Sequence, residues 1–178
     1  MILDAFLMFD NPSAPRDLAQ VAGDYASTNI IDWGLIDSLP AEGAGTQGRD
    51  MGIGDDPALK LLVQVSEAFA GGTSLQVAFQ GSISDASGDP AAWTTWYTSP
   101  AVALADLVVG QRILNIDMPR PPGGVAIPRF VRLLYTIVGT MTGGEVISGL
   151  VLDRNDQPYS GTVSETLGGY PAGINVAN

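Results

Sequence analysis

The residues that most often carry out chemistry in proteins are missing from this sequence. It contains no histidine and no cysteine among its 178 residues, which removes the commonest general base, the usual Ser-His-Asp triad and thiolate nucleophiles. Carboxylates remain, but paired acid/base catalysis needs two of them facing each other across the bond to be cleaved. The adjacent Asp55 and Asp56 would point to opposite faces of a strand, or both into water in a turn. We therefore expect a protein that is not an enzyme.

The segment DRNDQP, residues 153–158, contains possible cation ligands. Asp153, Asn155 and Asp156 offer hard oxygen atoms, but the glycine of the sharp bend and the closing glutamate of a calcium loop are missing. A turn at the end of a strand explains these residues better. The glycines of GTQGRDMG and GIGDDP are spaced like a phosphate-binding loop, yet a proline and a β pattern follow them instead of a helix. We therefore predict neither a metal nor a cofactor.

Three aromatic residues, Trp93, Trp96 and Tyr97, could form a platform for a sugar or a base. If residues 93–98 form a strand, Trp93 and Tyr97 share one face and Trp96 takes the other. No single face then carries all three rings, and the filling of a core or an interface is the favoured interpretation. The alternative is a carbohydrate- or receptor-binding β-sandwich module of a virion or secreted protein, with Trp93 and Trp96 as its platform.

Composition limits the possible partners. The chain has 8 basic and 19 acidic residues and a formal net charge of −11, which repels nucleic-acid backbones and anionic lipids. Charged residues make up 15% and hydrophobic residues 46%, which is typical of a subunit covered by its neighbours. The start, MILDAFLMF, has the features of neither a signal peptide nor a membrane span. We expect protein partners, without nucleic acid or membrane.

Short apolar runs between glycines and prolines indicate a sandwich or barrel of strands. Period-two alternation is clear in two pairs of segments, ALKLLVQVSEAF with SLQVAFQGS and RFVRLLYTIVG with EVISGLVLD. We predict that each pair forms an antiparallel hairpin. Further strands are predicted in STNIIDWG, TTWYTS and QRILNIDMP, while MILDAFLMF fits a strand or a short helical segment. The sequence thus predicts one all-β domain.

Two segments interrupt the strand pattern. Residues 41–57, AEGAGTQGRDMGIGDDP, are too rich in glycine and aspartate to pack as a regular element, and they are long enough to be an exposed functional loop. Residues 154–178 contain turn formers throughout and isolated apolar residues, which predicts an arm. We therefore divide the chain into an N-terminal segment or arm (1–27), a β-sandwich domain that includes the Gly-rich loop (28–153) and a C-terminal arm (154–178).

Several segments together resemble a known family. In order, MILDAFLMF, STNIIDWG, SLQVAFQGS, RFVRLLYTIVG and GLVLDRND are similar to the Bbp16-type capsid cement (decoration) proteins of tailed bacteriophages, from Met1 to about Asp156. The resemblance implies a jelly-roll-like antiparallel β-sandwich with irregular N- and C-terminal arms, often a homodimer. It also implies a location on the outer surface of the virion, where the protein bridges neighbouring major capsid proteins. The loop 41–57 and the chain after Asp156 are longer than the family pattern.

A cement subunit stabilises the shell by binding assembled capsid proteins more tightly than free ones, and no catalysis is needed. The acidity of the chain suits the outer surface, because packaged DNA would repel it. We expect the loop and the arm to contact the shell or a second subunit, although a solvated loop and a tail packed on its own domain would fit the same residues. The candidate contacts are Arg49, Asp50, Met51, Ile53, Asp55, Asp56, Tyr159, Thr162, Leu167 and Tyr170.

Overall fold

The computed structural model describes residues 5–34, 59–121 and 123–151. In this part of the chain the regular structure consists of strands and two 3₁₀ helices, Ala5–Leu7 and Leu104–Asp106, and no helix there is long and apolar enough to cross a membrane. The predicted all-β class is confirmed. The strands in chain order are β1 (Met8–Asp10), β2 (Arg16–Asp17), β3 (Gly23–Ala26), β4 (Ile31–Asp32), β5 (Lys60–Gly71), β6 (Ser74–Ser82), β7 (Thr94–Thr98), β8 (Val102–Ala103), β9 (Arg112–Asp117), β10 (Phe130–Val138) and β11 (Met141–Val151).

The strands form two antiparallel sheets that pack as a sandwich. The five-stranded sheet has the order β1-β11-β5-β9, and β2 also pairs with β11. The six-stranded sheet has the order β3-β10-β6-β7, with β4 also paired to β10 and β8 to β6. The four longest strands, β5, β6, β10 and β11, therefore occupy the sheet centres.

The two predicted hairpins are wrong, although their strands are correctly placed. β5 and β6 are consecutive but lie in different sheets, and so do β10 and β11. β5 pairs with β11, and β6 pairs with β10. In each predicted hairpin, both strands have one apolar face. Because the two strands lie in different sheets, their apolar faces pack against each other in the core of the sandwich. The crossing turns contain Gly71, Gly72 and Gly139, whose positive φ angles favour glycine.

The core lies between the sheets, as the period-two pattern of the long strands predicts. Alternate residues of these strands point inward, and each fully buried aliphatic or aromatic side chain contributes about 1.5–3 kcal/mol. Arg132, predicted to point outward, lies between two buried neighbours on β10. Within the main hydrophobic core cluster, the residues of the central strands with 0% exposure are Leu61, Val63, Val65, Leu75, Val77, Phe79, Val131, Leu133, Tyr135 and Val146.

The predicted N-terminal segment contributes strands to both sheets. Within MILDAFLMF, the 3₁₀ helix Ala5–Leu7 is followed directly by β1. The helical prediction therefore fits the first of these elements, and the strand prediction fits the second. β1 pairs with β11, whereas β3 pairs with β10. Phe9 and Leu18 are both fully buried in the core. The described part of this segment therefore belongs to the sandwich, while STNIIDWG forms only the short β4.

The crossing turns distinguish the two ends of the sandwich. At the turn end the two turns touch, because the Thr73 amide donates a 2.7 Å hydrogen bond to the Val138 carbonyl oxygen. The opposite end contains the first residues of β5 and β10 and the last residues of β6 and β11. We call it the open end, and it is marked by Lys60, Ser82, Phe130 and Val151.

Candidate interaction surfaces

The ten predicted contact residues lie outside the described residues, in the ranges 35–58 and 152–178. The possible cation ligands of DRNDQP are outside them as well. The structure therefore does not place these side chains. It does describe the residues on both sides of range 35–58 and the strand that precedes range 152–178.

The attachment points of the two ranges share the open end. Range 35–58 begins after Gly34, next to Trp33, whose amide donates a 2.8 Å hydrogen bond to the Arg129 carbonyl oxygen just before β10. The same range ends before Leu59, the residue that precedes β5. Range 152–178 begins after Val151, which pairs with the first residue of β5. Both predicted contact segments are therefore attached at one end of the sandwich.

Arg129 connects several segments of the open end by hydrogen bonds. Its Nε and one Nη donate to the two carboxylate oxygens of Asp32, each at 2.8 Å. The other Nη donates to Ser84 Oγ at 3.3 Å and to the Gly88 carbonyl oxygen at 3.2 Å, and the guanidinium lies 4.6 Å from the Phe130 ring centroid. The hydrogen bond from Arg129 is the main cause that lowers the pKa of Asp32. β4, the loop after β6 and the start of β10 are thereby fixed to one another.

An open apolar cleft of about 270 Å³ lies beside this arginine. It is lined by the end of β6, the residues around the start of β7 and the loop before β10, and Ile83, Ala92, Trp96, Val125 and Pro128 supply much of its apolar surface. None of its described lining residues is charged. The cleft can accommodate an apolar side chain, but it offers no pair of carboxylates for acid/base catalysis.

A β-bulge changes the predicted arrangement of the aromatic residues. Phe79 pairs with Tyr97 and Gln80 with Thr95, which leaves Trp96 as the extra residue on β7. The Trp96 ring packs edge-on against Phe79 at 5.5 Å between centroids, and Tyr97 also packs against the core. The prediction that Trp96 and Tyr97 take opposite faces is therefore wrong, because the bulge brings both to the core side.

Trp93 instead forms part of a polar row on the outer surface of the six-stranded sheet. The Arg132 guanidinium carbon lies 4.1 Å from the Trp93 ring centroid. Arg132 Nε donates to Gln80 Oε1 at 2.9 Å, and Gln80 Nε2 donates to Thr95 Oγ1 at 3.1 Å. Register places Arg132, Gln80 and Thr95 directly opposite one another on three adjacent strands. We call these four residues the Arg132 row.

A buried polar cluster that no sequence motif predicted lies between the sheets. The Asp10 carboxylate accepts hydrogen bonds from the Tyr135 hydroxyl and from Ser148 Oγ, both at 2.6 Å, and from the Thr28 amide at 2.8 Å. Asp10, Tyr135 and Ser148 are at most 1% exposed. Burial raises the pKa of Tyr135 well above its ordinary value, and the charge of Asp10 adds to this. A substrate cannot reach so enclosed a group, so the cluster is structural; the polar Asp10 at the end of an apolar run was its sequence signal.

The comparison with protein families identifies the family of the chain. The model of the Bbp16 family matches residues 18–150, which are 133 of the 178 residues. The chain belongs to the Bbp16 family. The match covers β3 to β10 and all of β11 except its last residue. A search of curated proteins found no match.

The Bbp16-family match confirms the family that the sequence resemblance indicated. The match begins at Leu18, so it does not include the first strand, and it ends before the predicted C-terminal arm. Among the described residues of this Bbp16-family chain, no group of three or more acidic side chains is arranged to hold a metal ion.

Proposed function

We propose that this Bbp16-family protein is a capsid cement subunit of a phage virion. It binds the outer surface of the assembled head and stabilises contacts between neighbouring major capsid proteins. The observation that carries the proposal is the attachment of both predicted contact segments at the open end of a well-packed sandwich. Membership of the Bbp16 family supports it, since the resemblance noted in the sequence points to phage cement proteins.

The charge of the two segments indicates the kind of surface that receives them. Residues 35–58 contain five acidic residues and one basic residue, and residues 152–178 contain three acidic residues and one basic residue. Together the two segments contain eight acidic and two basic residues, a net charge of −6 out of the −11 of the chain, and both are attached at the open end. A capsid surface with exposed lysines or arginines complements it.

Cement activity follows from selective binding. A protein that binds the assembled shell more tightly than free capsid subunits stabilises the shell by mass action. Two attached segments can engage two neighbouring capsid subunits, and a homodimer doubles these contacts, so that weak individual contacts combine into strong attachment. The sandwich supplies a rigid body that fixes the spacing of the segments.

The aromatic geometry does not favour the carbohydrate-binding alternative. A sugar platform needs exposed, roughly coplanar rings beside polar groups. Trp96 packs against Phe79 in the core, and one face of Trp93 is occupied by Arg132. The two tryptophans therefore do not share a platform.

Sedimentation with phage heads tests the proposal. Purified protein is mixed with heads of the matching phage that lack it, the heads are pelleted, and their survival on heating is measured. We expect saturable co-sedimentation and greater heat resistance. Absence of co-sedimentation, or binding without added heat resistance, contradicts the cement function.

A matched pair of variants tests which end binds. Ala92→Trp places a bulky ring at the mouth of the open-end cleft, whereas Val138→Trp places the same ring at the turn end, where Val138 is 49% exposed. We expect the first variant to weaken attachment to heads and the second to leave it unchanged. Equal effects, or a larger effect of Val138→Trp, contradict binding through the open end.

A further inference from the structure

Arg132 differs from the other well-placed cations of the described chain. Lys60 forms an ion pair with Asp117, and Arg129 forms a bidentate ion pair with Asp32. Arg132 contacts a neutral glutamine and an aromatic ring, and no carboxylate among the described residues bonds to it. In a chain with 19 acidic residues and 8 basic ones, an arginine that lacks an acidic partner in the described part of the chain is notable.

The Arg132 row fixes the orientation of this guanidinium. The indole of Trp93 supports its plane, the Gln80 side-chain oxygen accepts from its Nε, and Thr95 in turn accepts from Gln80. Gln80 is 8% exposed, so its amide is itself held in place. These contacts use one face and one edge of the guanidinium. The two terminal Nη groups, which form the fork that binds planar anions, have no hydrogen-bond partner among the described residues.

Partial burial of Arg132 is not compensated by an anion among the described residues. Burial lowers the pKa of Arg132, which means that its charged form has lost hydration. An anion that binds the Nη groups would compensate for this lost hydration. Because the guanidinium is already oriented, little side-chain entropy is lost on binding.

We propose that Arg132 is a binding site for a carboxylate of a neighbouring protein chain. A carboxylate matches the planar fork of the guanidinium in a bidentate geometry. The net charge of −11 opposes polyanions and multiply charged phosphates more strongly than a single carboxylate. Tryptophan and arginine are also the residues that most often dominate protein interfaces. Arg132 lies two residues along β10 from Phe130 at the open end, so the site is close to the end that is proposed to face the shell.

The inference rests on the proposed function for the identity of the neighbour, which is then a capsid subunit presenting an aspartate or glutamate. The carboxylate chemistry itself rests only on the Arg132 row. Two measurements keep these parts separate, one on the free protein with a small carboxylate and one on the head-bound protein.

The first measurement is an NMR titration of the ¹⁵N-labelled protein with sodium acetate, compared with sodium chloride at equal ionic strength. We expect saturable shifts of the Arg132 Nε–H and Trp93 indole N–H signals in acetate, with half-saturation on the order of 10 mM. The exposed Arg120 provides the internal control and should not saturate. Equal responses to chloride, equal responses of Arg120, or tighter binding of methyl phosphate than of acetate overturn the carboxylate assignment.

Variants sharpen this titration. Arg132→Lys retains the charge but removes the planar fork, so the acetate response of the Trp93 indole should weaken at least fivefold, and Arg132→Gln should abolish it. An unchanged response in Arg132→Gln overturns the site. Thermal unfolding of each variant establishes that the fold is retained.

The second measurement is the affinity for phage heads. Arg132→Gln and Arg132→Lys should weaken binding about tenfold, the change expected when one charge-assisted contact is lost, and Arg120→Gln should change it less than twofold. If Arg132→Gln binds heads as tightly as the unaltered protein, Arg132 does not bind a carboxylate of a capsid subunit. This conclusion holds even if the unaltered protein binds acetate. If the unaltered protein does not bind heads at all, the proposed function fails while the acetate titration still decides the site.

Discussion

The Tyr135 hydroxyl donates a 2.6 Å hydrogen bond to the Asp10 carboxylate, and this bond joins the two sheets through the core. Tyr135 belongs to the central strand β10 of the six-stranded sheet, and Asp10 ends the edge strand β1 of the five-stranded sheet. Ser148 and the Thr28 amide complete the environment of the carboxylate. A buried carboxylate with three donors is strongly held, and it becomes costly when any donor is lost.

Removing the Tyr135 hydroxyl should therefore destabilise the protein. Tyr135→Phe deletes one hydrogen bond to a buried charge, and we expect the free energy of unfolding to fall by about 1.5–3 kcal/mol in urea denaturation. Asp10→Ala should cost more, because it leaves several donors unsatisfied. Tyr97→Phe, which alters a half-buried ring without a described hydroxyl bond, is the control and should change stability by less than about 0.5 kcal/mol. A similarly small loss in Tyr135→Phe would contradict a stabilising role of the cluster.

The same tyrosine predicts a loss of stability at alkaline pH. Burial raises the folded-state pKa of Tyr135 well above the ordinary tyrosine value of 10.0. Below pH 10 the Tyr135 hydroxyl keeps its proton in both the folded and the unfolded protein. Above pH 10 the unfolded protein loses this proton first. The unfolded state then binds fewer protons, so the free energy of unfolding declines as the pH rises. Urea denaturation between about pH 9 and pH 11 should show a shallower decline for Tyr135→Phe than for the unaltered protein; parallel curves would exclude the effect.

The sequence was sufficient to predict the four longest strands but not which of them pair, and it did not predict the short strands β2, β3 and β8. Alternation in β5, β6, β10 and β11 is a local property of each strand. Burial alternates along β10, whereas β5 is buried continuously from Leu61 to Val65 and β11 from Val146 to Val151. Whether two such strands pair side by side or face each other depends on the whole set of apolar surfaces, which a local pattern does not contain. The buried cluster around Asp10 could not be predicted for the same reason. Its partners Tyr135 and Ser148 are more than one hundred residues away in the chain.

The aromatic surface failed to be predicted for a different reason. A β-bulge inserts one residue into β7, and period-two reasoning assigns every later side chain to the wrong face when such an insertion is unseen. Trp96 consequently lies against the core and Trp93 remains outside with Arg132. The contact residues expected in 41–57 and 154–178 stay predictions, because they fall outside the described residues.

The close approach of Trp96 to Gly81 predicts sensitivity to one methyl group. A Cβ atom at Gly81 would lie 2.3 Å from Trp96 Cζ2, so Gly81→Ala must displace the indole from Phe79. We expect a loss of about 1–3 kcal/mol in the free energy of unfolding, with a change in tryptophan fluorescence. Gly123→Ala is the matched control, because nothing lies within 4 Å of its added Cβ, and it should be close to neutral. Equal effects of the two substitutions would show that the indole contact is not responsible.

Glu145 should be a destabilising charge at neutral pH. It pairs with Asp17 on one side and Glu67 on the other, and burial, followed by the charges of Glu67 and Asp17, raises its pKa. Because the folded state holds the proton more tightly than the unfolded state, the stability present at low pH is lost as the pH rises through the folded pKa. Glu145→Gln removes this loss.

The expected gain from Glu145→Gln at pH 7 is modest, about 0.3–0.5 kcal/mol, because solvent screens these carboxylates. Urea denaturation should show the gain at pH 7 and no gain near pH 3, where Glu145 carries its proton in both the folded and the unfolded state. Asp106→Asn, an exposed acid at the turn end, removes the same charge and should have little effect. A loss of stability in Glu145→Gln would mean that its carboxylate makes a favourable contact.

Truncation after Asp156 separates attachment from folding. The described core ends with β11 at Val151, and residues 157–178 contain only isolated apolar side chains, so we expect the melting temperature of the free protein to change by less than about 2 °C. Binding to phage heads should fall about tenfold or more, because one of the two segments that are proposed to supply avidity is removed. The double substitution of Tyr159 and Tyr170 by serine retains the length of the arm and should reproduce part of that loss. Equal relative losses of thermal stability and head binding in the truncated protein would make the arm a part of the fold and not a contact with the shell.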